Sequence, residues 1–268
     1  MNKISLGAAA LFAVGAIPAF AADLPARTVT KAPAVAAVAY DWSGFYAGAN
    51  GGWGTGANCW DITNNVLAPG IAVGPVVPAA AEGCNSGSGA VAGGQVGYRW
   101  QAANYVFGLE AQGDWSNLTG STFSAVAGGP LGAPPNVNTS TVNAFGLFTG
   151  QVGYAIDNAL FYLKGGGAVT LNKYVGLLAP GGAAYDQASE TRWGGAVGGG
   201  FEYGFAPSWT LALEYDHLFM GTNTINLNST GALGPAGTLS RTDSIGQNVD
   251  LITVRVNYRF GGPIVARY

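Results

Sequence analysis

The stretch Val249-Asp250-Leu251-Ile252-Thr253-Val254-Arg255-Val256-Asn257-Tyr258-Arg259-Phe260 decides how the rest of the chain is read. Ile252, Val254, Val256, Tyr258 and Phe260 fall on one parity, and Thr253, Arg255, Asn257 and Arg259 on the other. A period of two makes this a strand with one apolar and one charged face. In a soluble protein a second layer covers the apolar face. In a transmembrane barrel that face meets lipid and the polar face lines the lumen.

Composition narrows the choice. The chain has 268 residues, room for one or two domains, and only 9% of them are charged, against roughly 25% in a soluble domain. Forty-four glycines are scattered without a collagen period. Beyond the N-terminus no run approaches the ~18 consecutive apolar residues of a helical span. What remains is a membrane barrel or a secreted all-β protein. The net charge of −3 gives no reason to expect nucleic acid as a partner.

At the N-terminus Lys3 precedes the apolar run Ile4 to Ile17, and Ala19-Phe20-Ala21 is an A-x-A site. This predicts a cleaved signal peptide over 1–21 rather than an uncleaved anchor, with Pro18 and the small residues after it favouring cleavage. Residues 22–41, rich in Ala and Pro, read as a disordered periplasmic leader. The barrel domain is then 42–268.

Alternation recurs along that domain. Strands are expected near 44–53, 90–100, 105–115, 142–154, 160–172, 190–205, 210–219 and 249–260. The intervening segments alternate between long, irregular Gly-, Asn- and Pro-containing stretches (54–89, 116–140, 173–189, 220–248) and short turns (101–104, 155–159, 206–209). Eight antiparallel strands with short periplasmic turns and four long extracellular loops make an up-and-down outer-membrane barrel. Gly94-Gln95-Val96-Gly97-Tyr98 recurs as Gly150-Gln151-Val152-Gly153-Tyr154 at the turnward end of even strands. The repeat marks the hairpin, not a solenoid. Trp42, Trp100, Tyr105, Tyr154, Phe161, Tyr203, Trp209, Tyr258 and Phe260 cluster at the short-turn end, and Trp53, Trp115, Trp193 and Phe219 near the long-loop end. Two aromatic girdles about ten residues apart fit a bilayer; a sandwich core would mix aromatics along strand centres.

Trp42-Ser43-Gly44-Phe45-Tyr46, the run from Thr191 to Gly221 and the segment Val254 to Phe260 resemble the small alphaproteobacterial porins called RopB-like or outer-membrane immunogenic proteins. The resemblance implies an eight-stranded, surface-exposed barrel of the porin superfamily. It also implies that a closing aromatic is read by the barrel-assembly machinery during insertion. Tyr258, Phe260 and the terminal Tyr268 are the candidates.

The inward parity carries Arg99, Lys164, Arg192, Arg255 and Arg259 against Glu110, Asp114, Glu202, Glu214 and Asp216. An eight-stranded bore is just wide enough for side chains to fill. Unpaired charge there is costly, so cross-strand ion pairs are expected to plug it; the rival reading is a selectivity ring. Glu214 and Asp216 share a face but lack a cleft and separated pKa values, which removes the hydrolase reading. His217, the only histidine, lies on the lipid-facing parity near the outer rim. One His and two Cys build no zinc site, and no metal, cofactor or catalytic residue is expected.

The loop acids Asp61, Glu82, Asp186 and Asp243 are expected to be solvated above lipopolysaccharide; loops contacting host surfaces or phage are the alternative. The function read from all this is an integral surface protein contributing to envelope integrity. A narrow passive channel is the first rival and an adhesin or receptor the second.

Cys59 and Cys84 share the first long loop, and outside the cytoplasm two such cysteines pair. The bond should contribute roughly 3 kcal/mol on the chain-entropy model. Unreduced protein should therefore take up no thiol reagent; labelling of both cysteines would contradict the pairing.

Overall fold

The computed structural model describes residues 40–65, 75–126, 136–178 and 180–260. The expected signal peptide, nearly all of the leader and Tyr268 lie outside them. Eight strands follow one another: β1 (Gly44–Asn65), β2 (Pro75–Ala102), β3 (Tyr105–Phe123), β4 (Val137–Ile156), β5 (Ala159–Leu177), β6 (Ala184–Ala206), β7 (Trp209–Ser229) and β8 (Leu239–Phe260). Each pairs antiparallel with the next, and β8 returns to β1, from Phe45 opposite Phe260 to Asn65 opposite Arg241. The sheet is thus a closed ring with no free edge at its seam.

The alternation that builds the strands also decides which way each side chain points. On β3, Tyr105, Phe107, Leu109 and Trp115 are exposed, and Val106, Glu110, Gln112 and Asp114 between them are buried. A soluble sheet does the reverse; here apolar side chains face out on all eight strands and most charged ones face in, Lys173 and Asp250 being exceptions. The two aromatic girdles lie on this outward face, with one correction. Trp42 does not belong to the inner girdle. It turns under the barrel, 2% exposed, packs on Tyr40 at 4.6 Å between ring centroids, and its backbone N–H donates to Gln101 Oε1 at 2.8 Å. It sits two residues before the extended ladder begins at Gly44, so its parity says nothing about lipid.

The four long irregular stretches are the larger correction. Much of each is strand: β1 and β2 stay paired from Trp53 opposite Ala90 to Asn64 opposite Pro75, and β8 begins at Leu239. Above the outer girdle the outward face meets water, so Thr, Asn, Ser and Gly occupy it and the apolar–polar alternation disappears. The hydrogen-bonded ladder continues without it. The residues from Leu239 to Leu251 carry the wall about 30 Å beyond the girdle at usual strand rise and tilt.

Turn and wall geometry depend on a few residues. The two short turns at Ala103 and Asp157 use left-handed backbone, with φ of 54° and 51°. Inside the wall, Gly52 and Gly166 have no room for a side chain: a Cβ would collide with the Ile252 and Phe148 carbonyl oxygens of neighbouring strands. Gly52→Ala or Gly166→Ala should each cost about 1–3 kcal/mol through overpacking, read as a lower urea midpoint of the micelle-embedded barrel. An unchanged midpoint would show that the neighbouring strand yields.

Candidate functional site

Among the described residues charge is concentrated in the barrel interior, and β8 reads it from bottom to top. Its buried side chains are, in order, Arg259, Asn257, Arg255, Thr253, Leu251, Val249, Gln247, Ile245, Asp243 and Arg241. Each belongs to a layer that spans the lumen, and polar layers alternate with apolar ones.

At the base, Tyr40, Trp42, Val106, Ala155, Leu160 and Tyr162 form an apolar floor. Arg259 Nη1 donates to the Ser43 carbonyl at 3.2 Å and lies 3.4 Å from Asp41, and Nη2 donates to the Pro207 carbonyl at 3.1 Å. Arg99 bonds Glu202 at 2.8 Å and lies over the Tyr46 ring at 4.4 Å.

The densest layer follows. Lys164 Nζ lies 2.6 Å from Glu214, 3.2 Å from Asp216 and 3.5 Å from Glu110. Arg255 forks between Glu110 and Glu214. Two phenols add to it: Tyr46 donates to Glu110 and Tyr162 to Glu214, each at 2.6 Å. All five charged side chains are essentially inaccessible to solvent. Removing one partner from such a network strands the others, a penalty of about 3–5 kcal/mol. Asp114 meets no cation here; it accepts from Gln112 at 2.9 Å.

Above this lies an apolar plate of eleven side chains, centred on Phe145, Leu147, Leu218, Val249 and Leu251. Sequence reading missed it because these residues share the parity of the charges, and only the charged residues of that parity were expected to fill the bore. Next come Thr170, Asn172 and Gln247, bonded to one another, and Arg192, 2.9 Å from both Glu190 and the Ile245 carbonyl. A second apolar plate holds Trp60, Tyr174, Ile225, Leu227 and Ile245, with the Trp60 and Tyr174 rings edge to face at 5.4 Å.

The top layer lies beyond the membrane-spanning segments and belongs to residues expected in solvated loops. Arg241 bonds Glu82 at 2.8 Å, Asp186 at 2.9 Å and Asn138 at 2.8 Å, and lies 3.4 Å from Asp243. One guanidinium therefore ties β2, β4, β6 and β8 across the mouth. All three acids are fully buried. The signal for this hub was present in β8, whose inward parity runs unbroken from Arg259 back to Arg241.

Of the ten charged residues expected in the lumen, Arg99, Glu110, Lys164, Glu202, Glu214, Asp216 and Arg255 meet in two ion-pair groups. Asp114, Arg192 and Arg259 find other partners, and Asp41, Glu82, Asp186, Glu190, Arg241 and Asp243 join the set. Glu214 and Asp216 share Lys164 and face no cleft. Among the described residues no group of three or more His, Cys, Asp or Glu side chains is placed to hold a metal. Cys59 and Cys84 lie opposite each other on β1 and β2 and are joined by a disulfide on the outward face. His217 also faces outward, its Nδ1 2.7 Å from Asp250, which accepts from Tyr215 at 2.6 Å.

Residues 7–260 match the family model described as an outer membrane protein beta-barrel domain. A 31 kDa outer-membrane immunogenic protein of Brucella melitensis is 28% identical over 226 residues, covering 81% of this chain and 87% of that protein. Among solved structures, the outer membrane protein OprG from Pseudomonas aeruginosa is 13% identical with a TM-score of 0.39, covering 81% of this chain and 97% of that one. The outer membrane protease OmpT from Escherichia coli is 9% identical with a TM-score of 0.48, covering 81% and 97%.

The mouth hub carries a pH dependence of definite sign. Burial, against the attraction of Arg241, pushes the Asp243 carboxyl up to about 8, and burial raises Asp186 as well. A carboxyl raised in the folded state adds stability fully present below its ordinary pKa of about 4, and lost as pH climbs through the folded value. The mouth should be tightest in mild acid and loosen towards pH 8. Amide exchange over residues 239–245, corrected for intrinsic rate, should accelerate roughly tenfold or more across that window. Asp243→Asn should largely flatten the profile; a flat wild-type profile would contradict the assignment.

Proposed function

The chain belongs to the outer membrane protein beta-barrel family and resides in the cell outer membrane, and from that premise we propose that it works as a sealed structural barrel rather than as an open pore. The observation that carries this reading is the apolar plate around Phe145, Leu147, Leu218, Val249 and Leu251. An ion crossing the lumen must leave the charged layer built on Lys164 and Arg255 and pass through packed hydrocarbon side chains. Stripping an ion of water for that passage costs far more than thermal energy. The two plates therefore act as seals, and the ion-pair layers hold eight strands at fixed spacing.

The same arrangement speaks against catalysis. Lumen carboxylates are held by guanidinium, ammonium, phenol or amide groups, and none opens onto a cleft where a substrate could sit. We read the protein as non-enzymatic, although a protease occurs among the barrels it resembles in fold. Its contributions are wall area, lateral contact with lipid and lipopolysaccharide, and a rigid rim displayed outside the cell. Insertion by the barrel-assembly machinery fits the closing strand, whose Tyr258 and Phe260 lie on the lipid face.

Purified protein refolded into a planar bilayer should show no stable openings in the nanosiemens range. Phe145→Ser combined with Leu218→Ser, which hydrates the plate, should introduce measurable conductance. Large steady openings from the wild-type monomer would overturn the sealed-barrel reading and restore the passive-channel one.

A further inference from the structure

Among the described residues, the ladder between β6 and β7 has a long interruption. Strands β6 and β7 pair at Gln187 opposite Asn228 and again at Gly195 opposite Phe219, but not between. Over that interval β6 remains laddered to β5, from Tyr174 opposite Ala188 to Ala168 opposite Gly194. β7 remains laddered to β8, from Gly221 opposite Gln247 to Leu227 opposite Arg241. Each strand is thus intact, and only their shared edge is open. At its lower end lies Gly221, where φ is +67° and the β7–β8 register slips between Phe219 and Gly221. The window is closed below by Gly195 and Phe219 and above by Thr230, whose N–H donates to the Tyr185 carbonyl at 3.0 Å.

Side chains, not backbone, bridge the opening. Asn223 donates to Glu190, and Arg192 reaches the Gly221 carbonyl at 3.3 Å. Asn223 shares the inward parity of Ile225 and Leu227, which are buried, yet it is exposed; solvent enters here. Trp193 and Phe219, both exposed, mark the lower lip at the outer girdle. The window therefore faces the cell exterior.

From this geometry we infer that the β6–β7 window is a receptor site for an extended, uncharged segment of another polypeptide, which adds to the open strand edges. Three features specify that occupant. Alternate residues on each edge direct N–H and C=O groups into the gap, and what pairs with such a row is another extended backbone. The edges lack two of the usual deterrents, Pro and Lys. Ala188 to Gly194 and Met220 to Leu227 contain no Pro and no Lys, the residues that commonly blunt a strand edge, and Thr and Ile among them favour strand. The only charges in the window, Glu190 and Arg192, neutralise each other at 2.9 Å, so a neutral segment is the complement. The closed ends limit it to about seven residues, roughly 23 Å. This site stands apart from the lumen and does not depend on whether the barrel conducts.

The test uses the full chain in micelles and the peptide acetyl-Thr-Val-Thr-Val-Thr-Val-Thr-amide, with a version N-methylated at alternate residues as control. In the free protein, window-facing amides within 188–194 and 220–227 should exchange at least about tenfold faster than amides of the ladders above and below. Adding the peptide should slow exchange in both segments at least about tenfold, and the methylated peptide should not. Three results would overturn the inference: slow exchange across the window in the free protein, no protection by the peptide, or equal protection by both peptides. Thr224→Pro, which removes one edge donor, should weaken binding; were this variant not to fold, the methylated peptide alone decides.

Discussion

Everything in this barrel follows from the cost of an unpaired peptide group in hydrocarbon. A backbone N–H or C=O left without a partner at membrane depth costs several kcal/mol. Between the two girdles each of the eight strands is therefore paired on both sides, and β8 must close on β1. The wall is permitted an opening only where water can replace the missing partner. The β6–β7 window obeys that rule: it starts at the height of Trp193 and Phe219 and extends outward.

A second constraint follows from the first. Eight strands enclose a bore too narrow for bulk water but wide enough for side chains, so the interior must be packed like a core while being built from the parity that faces away from lipid. The chain meets this by layering. Charged groups sit in planes where every cation has two or more acceptors, as Lys164, Arg255 and Arg241 do, and hydrocarbon plates separate the planes. Layering confines each group of charges to its own height. It also separates the hub at Arg241 from the membrane-embedded network.

Strand number, order, direction and facing were legible in the sequence, because between the girdles the outward residues must be apolar and the pattern has full contrast. The Val249–Phe260 stretch carried that contrast most clearly. Legibility failed where the outer solvent changes from lipid to water. From Leu239 to Asn248 the outward positions become Ser, Thr and Gly, and the ladder continues without its signature. Glu82, Asp186 and Asp243 were read as loop acids for that reason. The interior was half legible. The ion pairs around Glu110, Glu214 and Arg255 followed from parity and sign, but inward Leu218 and Leu251 look no different from core residues of any strand. The β6–β7 interruption was not legible at all, since it lies beside a bulge at Gly221 in a segment without alternation.

The central claim is that lipid covers the outward rings and packed protein fills the inside. Its most direct measurement is quenching of single-tryptophan variants in bilayers whose acyl chains are brominated. Trp100, Trp115 and Trp209 should be strongly quenched, while the inward Trp42 and Trp60 remain bright. Equal quenching of all five, or bright outward tryptophans quenched instead by aqueous acrylamide, would contradict it.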